Sequence, residues 1–282
     1  MIGKRQFWLA IALLGLVVAS PWMWKRGREA WLAWKWWRGE EDAAQALWDG
    51  RILWPFRLAC SSRTPERRRQ GLVGLAVACR AGQVGMDEVA PFLLAGIRDT
   101  GIAVFEDPNK SKGDEPGLPV GAYIPERILD TGYEGIACIF RTHLDELLSD
   151  LEDPGLPRET RRALMHLVTF PDESEYASCK RYREKVRLSL GRVLGDPDAM
   201  VRLGAAGGIV RFASHDQGTG MFGEAVRTAL DLSEHPDPLV GLAVESVLAE
   251  ALATSFGTPV DRARWKWALE RVKARNEAEV SE

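Results

Sequence analysis

The chain has 282 residues, 46% of them hydrophobic and 27% charged, with a formal net charge of -3 and a pI near 5.9. That is enough apolar material for a sizeable core, and the acidic balance excludes the broadly basic face that nucleic acid needs in a partner.

Residues 7–24, FWLAIALLGLVVASPWMW, carry no charge and lie between Lys4 and Arg5 on one side and Lys25, Arg26 and Arg28 on the other. At about 1.5 Å of rise per residue, about 18 apolar residues is the short end of what crosses a hydrocarbon core of about 30 Å. The pattern predicts one transmembrane or signal-anchor helix behind a short basic tail at residues 1–6. An exported chain fits the same residues, because Val17 and Ala19 ahead of Ser20 supply a cleavage site. Trp22 and Trp24 favour retention, since their rings suit the headgroup boundary. The heavier basic flank lies on the C-terminal side, which leans the rest of the chain toward the cytoplasm and leaves a periplasmic or extracytoplasmic placement open.

Residues 25–41 contain WLAWKWW at 31–37, four of the eleven tryptophans of the chain. On a helix at about 100° per residue, Ala30, Leu32, Ala33, Trp34, Trp36 and Trp37 share one arc, and Arg28, Lys35 and Arg38 share the other. Trp31 falls among the basic residues and Glu29 on the apolar side. An aromatic face opposite a basic one predicts a helix lying in the membrane interface. Its expected contacts with the lipid bilayer are Trp22, Trp24, Trp34, Trp36 and Trp37, with Lys25, Arg26, Arg28, Lys35 and Arg38. The other reading makes this segment the first cap of the domain behind it, or a contact for another membrane subunit.

From residue 42 to about 275 the apolar spacing is helical, without alternating strands, and turn residues recur about every 20 positions. This predicts an all-α body. Three stretches align: LSDLEDPGLPRETRRALMHLV from Leu148, LGRVLGDPDAMVRLGAAGGIV from Leu190 and LDLSEHPDPLVGLAVESVLAEAL from Leu230. Each is a helix end, an acidic proline-bearing turn and a second helix. Pro65, Pro157, Pro197 and Pro238 mark helix starts, where a missing N–H costs nothing, and an aspartate just ahead caps free amides. Gly204, Gly207 and Gly208 let neighbouring helices approach closely.

These stretches resemble HEAT repeats, most closely in LGDPDAMVRLGAAGGIV. The resemblance implies a HEAT-like α-solenoid of helix pairs in which the turn aspartates Asp153, Asp196 and Asp237 and the arginines Arg161 and Arg202 are structural, Asp196 and Arg202 bracing neighbouring repeats. A weaker copy at Arg63 sets Arg68 two periods before Arg161, and the unit between them begins at Met86. Gly241 stands where the next arginine is expected, and Met200 lengthens its turn.

Residues 99–125, DTGIAVFEDPNKSKGDEPGLPVGAYIP, read as an irregular insertion whose ends pack back on the solenoid; Phe105 and Tyr123 are its candidate contacts for a protein partner. Residues 276–282 form an acidic tail. Cys60, Cys79, Cys138 and Cys179 lie in apolar helical runs without C-x-x-C spacing, which predicts buried free thiols. The histidines are scattered, His143, Asp145 and Glu146 are expected to diverge on their helix, and Arg67–Arg69 and Arg161–Arg162 read as surface charge. No catalytic, metal or cofactor motif emerges. The expected function is a membrane-anchored scaffold or accessory subunit that binds an unidentified protein partner through the concave face of the solenoid. A HEAT-like lyase or modifying enzyme is the enzymatic alternative.

Overall fold

The computed structural model describes residues 24–104, 117–169, 180–212 and 220–252, with Ala263 and Trp267. The apolar stretch up to residue 23, Phe105, Cys179 and the acidic tail lie outside these residues. Among the described residues no helix is long and apolar enough to cross a membrane.

The chain is all-α. Helix α1 covers residues 24–37, followed by α2 (Glu41–Asp49), α3 (Trp54–Cys60), α4 (Pro65–Arg80) and α5 (Met86–Ile97). A two-residue ribbon of β1 (Ile102–Ala103) and β2 (Leu118–Pro119) leads into α6 (Val120–Asp130), α7 (Gly132–Glu152) and α8 (Arg158–Thr169). Four further helices follow, α9 (Lys180–Val193), α10 (Ala199–Phe212), α11 (Gly220–Leu232) and α12 (Pro238–Leu252), and Ala263 and Trp267 are also helical. Consecutive helices pack as pairs, α3 with α4 through α11 with α12. The second members, α4, α6, α8, α10 and α12, each touch the next in turn and make one layer; α3, α5, α7 and α9 make the other. One continuous core runs between the layers, from Phe56 and Leu75 through Ile97, Ile124 and Leu164 to Ile209 and Leu248. This is a solenoid-like stack in which each pair buries its apolar face only with help from its neighbours.

The turns explain the period. Asp99, Asp153, Asp196 and Asp237 each accept a hydrogen bond from the main-chain amide two residues on, at 2.8 to 2.9 Å, a side-chain turn that aims the next segment. The fourth residue of α4, α6, α8, α10 and α12 is Arg68, Tyr123, Arg161, Arg202 and Gly241 in succession. Arg68 donates to the carbonyl oxygens of Ser62 and Arg63 at 3.0 and 3.1 Å and reaches on to Asp99 of the next unit at 2.8 Å. Arg161 repeats the arrangement, donating to Leu156 O at 3.3 Å and pairing with Asp196, both side chains almost wholly buried. Asp196 thus links two repeats through Arg161. Arg202 donates to Asp196 O at 2.7 Å, a bond inside its own repeat. In α6 Tyr123 takes the arginine position and its hydroxyl donates to Ala103 O at 3.4 Å.

Four expectations are corrected. Residues 120–125 are helical, so the irregular stretch ends at Pro119. Gly121 permits this, because a Cβ there would sit 2.0 Å from Ile97 O. Pro197 lies two residues ahead of α10, whose start is capped by Asp198 accepting from the Val201 amide at 3.0 Å. Arg68, Arg161 and Arg162 are not loose surface charges: Arg162 holds Asp198 at 2.6 and 2.9 Å, and the other two brace repeats. His143 and Glu146 meet at 3.5 Å, one helical turn apart, while Asp145 turns to Lys185 at 2.7 Å.

Candidate functional site

Two surfaces stand out, one on α1 and one across the layer of α8, α10 and α12. Helix α1 is seated by Leu32, Ala33 and Trp36, which are 7%, 7% and 8% exposed, and the Trp36 ring meets Phe56 edge-on with centroids 4.8 Å apart. Trp48 stacks on Phe56 with centroids 5.8 Å apart, and its indole N–H donates to Gly74 O at 3.1 Å. The buried residues fall at i, i+3, i+4 and i+7 from Glu29, one face of a helix. Trp36, expected at the membrane interface, is therefore a core residue, and the expected arc is rotated. Tryptophan is amphipathic, so summed hydrophobicity misjudged which rings turn inward.

The opposite face of α1 holds the remaining tryptophans. Trp24, Trp31, Trp34 and Trp37 are 77%, 53%, 53% and 38% exposed. Interleaved with them are Arg28, Lys35 and Arg38, so aromatic and basic residues share one outward face instead of facing apart. Lys35 lies over the Trp31 ring at 4.7 Å, Arg38 over Trp34 at 4.8 Å, and Arg67 of α4 over Trp37 at 5.2 Å. Lys25 and Arg26 are exposed, Arg26 reaching Glu29 at 3.3 Å. Trp22 lies outside the described residues.

The second surface is a groove of about 400 Å³ across α8, α10 and α12. Its floor is apolar and low, with Met165, Leu203, Gly207 and Val247, because the glycines of α10 draw the helices together: a Cβ at Gly204 would lie 2.3 Å from Met165, and one at Gly208 would lie 2.7 Å from both Thr169 and Leu190. The rim is polar and internally paired. Arg211 donates to Thr169 O at 2.7 Å and to Glu250 at 3.2 Å, and Arg162 is held by Asp198. Leu239 of α12, 65% exposed, continues the groove. The sequence pointed to this face only through the row of Gly204, Gly207 and Gly208.

The titratable groups behave as braces. Burial pushes the Asp99 and Asp198 carboxyls up, yet the bonds from Arg68 and from Arg162, with main-chain amides and the arginine charges, outweigh it and hold both below the ordinary carboxylate range. Burial wins at Asp150, which is raised although Arg98 donates to it at 2.8 Å. Burial also pushes the half-buried Cys60 thiol up to about 12, and its Sγ donates to Phe56 O at 3.2 Å. Cys60, Cys79 and Cys138 are free thiols, half-buried where full burial was expected. Among the described residues no three His, Cys, Asp or Glu side chains converge as metal ligands do. Tyr123, a candidate partner contact, is half-buried beneath the Arg69 guanidinium at 5.1 Å.

No family model, no curated protein and no solved structure matches the chain.

Proposed function

We propose that this protein is a membrane-tethered helical-repeat scaffold, of HEAT-like organisation, that presents the groove of α8, α10 and α12 to a protein partner. The observation that carries the tether is the outward face of α1. Four exposed tryptophans interleaved with basic residues begin where the uncharged run of residues 7–24 ends, an arrangement costly to leave in bulk water and suited to a bilayer surface. The paired rim and apolar floor of the groove suit recognition of an apolar peptide surface better than the binding of a charged metabolite.

Carbonate extraction of membranes carrying the full chain tests the tether. The parent chain is expected to stay with the lipid, and Leu14→Arg with Val17→Arg to release it, because each arginine at the centre of a span costs about 3 kcal/mol. A parent chain that washes off, or a mature N-terminus at Ser20, overturns the reading. In mild detergent the scaffold role predicts a protein partner at fixed stoichiometry, lost when Gly207→Trp fills the groove floor.

A further inference from the structure

The tether requires one apolar segment, but the outward face of α1 contains more than an apolar segment needs. Three ring and cation units stand in a row: Trp31 under Lys35, Trp34 under Arg38, and Trp37 under Arg67. The third unit crosses from α1 to α4. Arg67 also donates to the main-chain oxygen of Trp37 and to Gln70 at 3.0 Å, which fixes the start of the first repeat against the end of α1. Of the nearby acids, Glu29 is turned inward at 9% exposure, and Glu40 pairs with Lys35 at 2.6 Å. The positive charge of the row therefore rests mainly on Arg28, Arg38 and Arg67.

A cation seated on a tryptophan face leaves its outer side free for an anion, while the rest of the ring remains apolar. A surface that satisfies both halves at once is the headgroup layer of a bilayer containing anionic lipid. Geometry brings that layer close. Residues 24–37 form a helix about 21 Å long, so an α1 lying flat from the membrane exit keeps all three units in the headgroups, and an upright α1 lifts Trp37 and Arg67 clear of them. Arg67, rigid against both α1 and α4, then sets the orientation of the whole stack.

We propose that the outward face of α1, extended by Arg67, docks on anionic phospholipid headgroups and lays the first repeat against the bilayer. The proposal rests on the membrane-tethered reading and adds the lipid class and the orientation. It is tested with the full chain in nanodiscs of phosphatidylcholine alone or mixed with phosphatidylglycerol. Hydroxyl-radical footprinting reads oxidation at Trp31, Trp34 and Trp37, with exposed Leu242 of α12 as control. Oxidation of all three rings is expected to fall several-fold in the anionic discs only. Arg38→Gln with Arg67→Gln should reverse it, each lost charge weakening the anionic preference about fivefold, with unchanged circular dichroism showing that the fold is kept. Equal protection in both lipids, with the chain inserted, overturns the lipid preference and leaves the tether standing. Protection that follows protein concentration instead of lipid charge assigns the face to a second copy and overturns the proposal. A chain that enters neither disc defeats the tether itself.

Discussion

Removing the Arg161 side chain should damage the stack far more than removing Arg202, although the two arginines occupy equivalent positions. Arg161 and Asp196 are 5% and 8% exposed at the side chain, so solvent screens their pairing little, and Arg161→Met leaves a buried carboxylate without its counter-charge. That lesion costs about 3–5 kcal/mol. Arg202 is half-buried and donates one bond to a main-chain carbonyl, so Arg202→Ala should cost about 1 kcal/mol. Thermal unfolding of the full chain in detergent, followed by helical circular dichroism, should place Arg161→Met about 10 °C below the parent and Arg202→Ala within a few degrees of it. Because the pair joins the α7–α8 unit to the α9–α10 unit, the transition should also broaden as the two halves uncouple. Asp196→Asn on the Arg161→Met background keeps the bond to the Asp198 amide and removes the stranded charge, so it should recover part of the loss. The bracing account fails if Arg161→Met unfolds with the parent, or if Arg202→Ala costs as much.

Gly121→Ala should destabilise by about 1–3 kcal/mol in urea unfolding, because the new Cβ meets the carbonyl of Ile97, which is backbone and cannot rotate aside; a neutral result would show that α6 can shift. Stability should fall on acidification below the ordinary carboxylate range. Asp99 and Asp198 have folded pKa values held below their unfolded ones, so they stabilise above the unfolded value and lose that contribution as pH drops through the folded one. Asp99→Asn with Asp198→Asn should flatten this acid limb, and an unaltered limb refutes the assignment. Native Cys60, its thiol pushed up to about 12, should react with iodoacetamide at pH 8 about a thousandfold more slowly than a free cysteine, and labelling at the free rate would show that the α3–α4 packing opens readily.

The all-α class, the helix pairs and the turn aspartates were legible in the sequence because they follow from local rules: helical periodicity, proline in or just ahead of the first turn, and aspartate side chains that bond the amide two residues on. Asp153, Asp196 and Asp237 follow that chemistry, and Asp99, read from the sequence as the first residue of the irregular insertion, joins them only in the structure. The partners of the arginines were not legible, since whether Arg161 meets Asp196 or Arg202 stays within its own turn depends on how far one repeat rotates on the next. The same limit governed α1. Its tryptophans were visible as a surface-seeking group, but only the packing of Trp36 on Phe56 decided which ring turned inward, leaving Trp31, Trp34 and Trp37 beside their cations on the outer face. A side chain's affinity for burial is a property of the residue, whereas the neighbour that buries it comes from a distant part of the chain. The sequence alone therefore determined the repeating unit and its turns, and tertiary structure alone decided which faces those units left open.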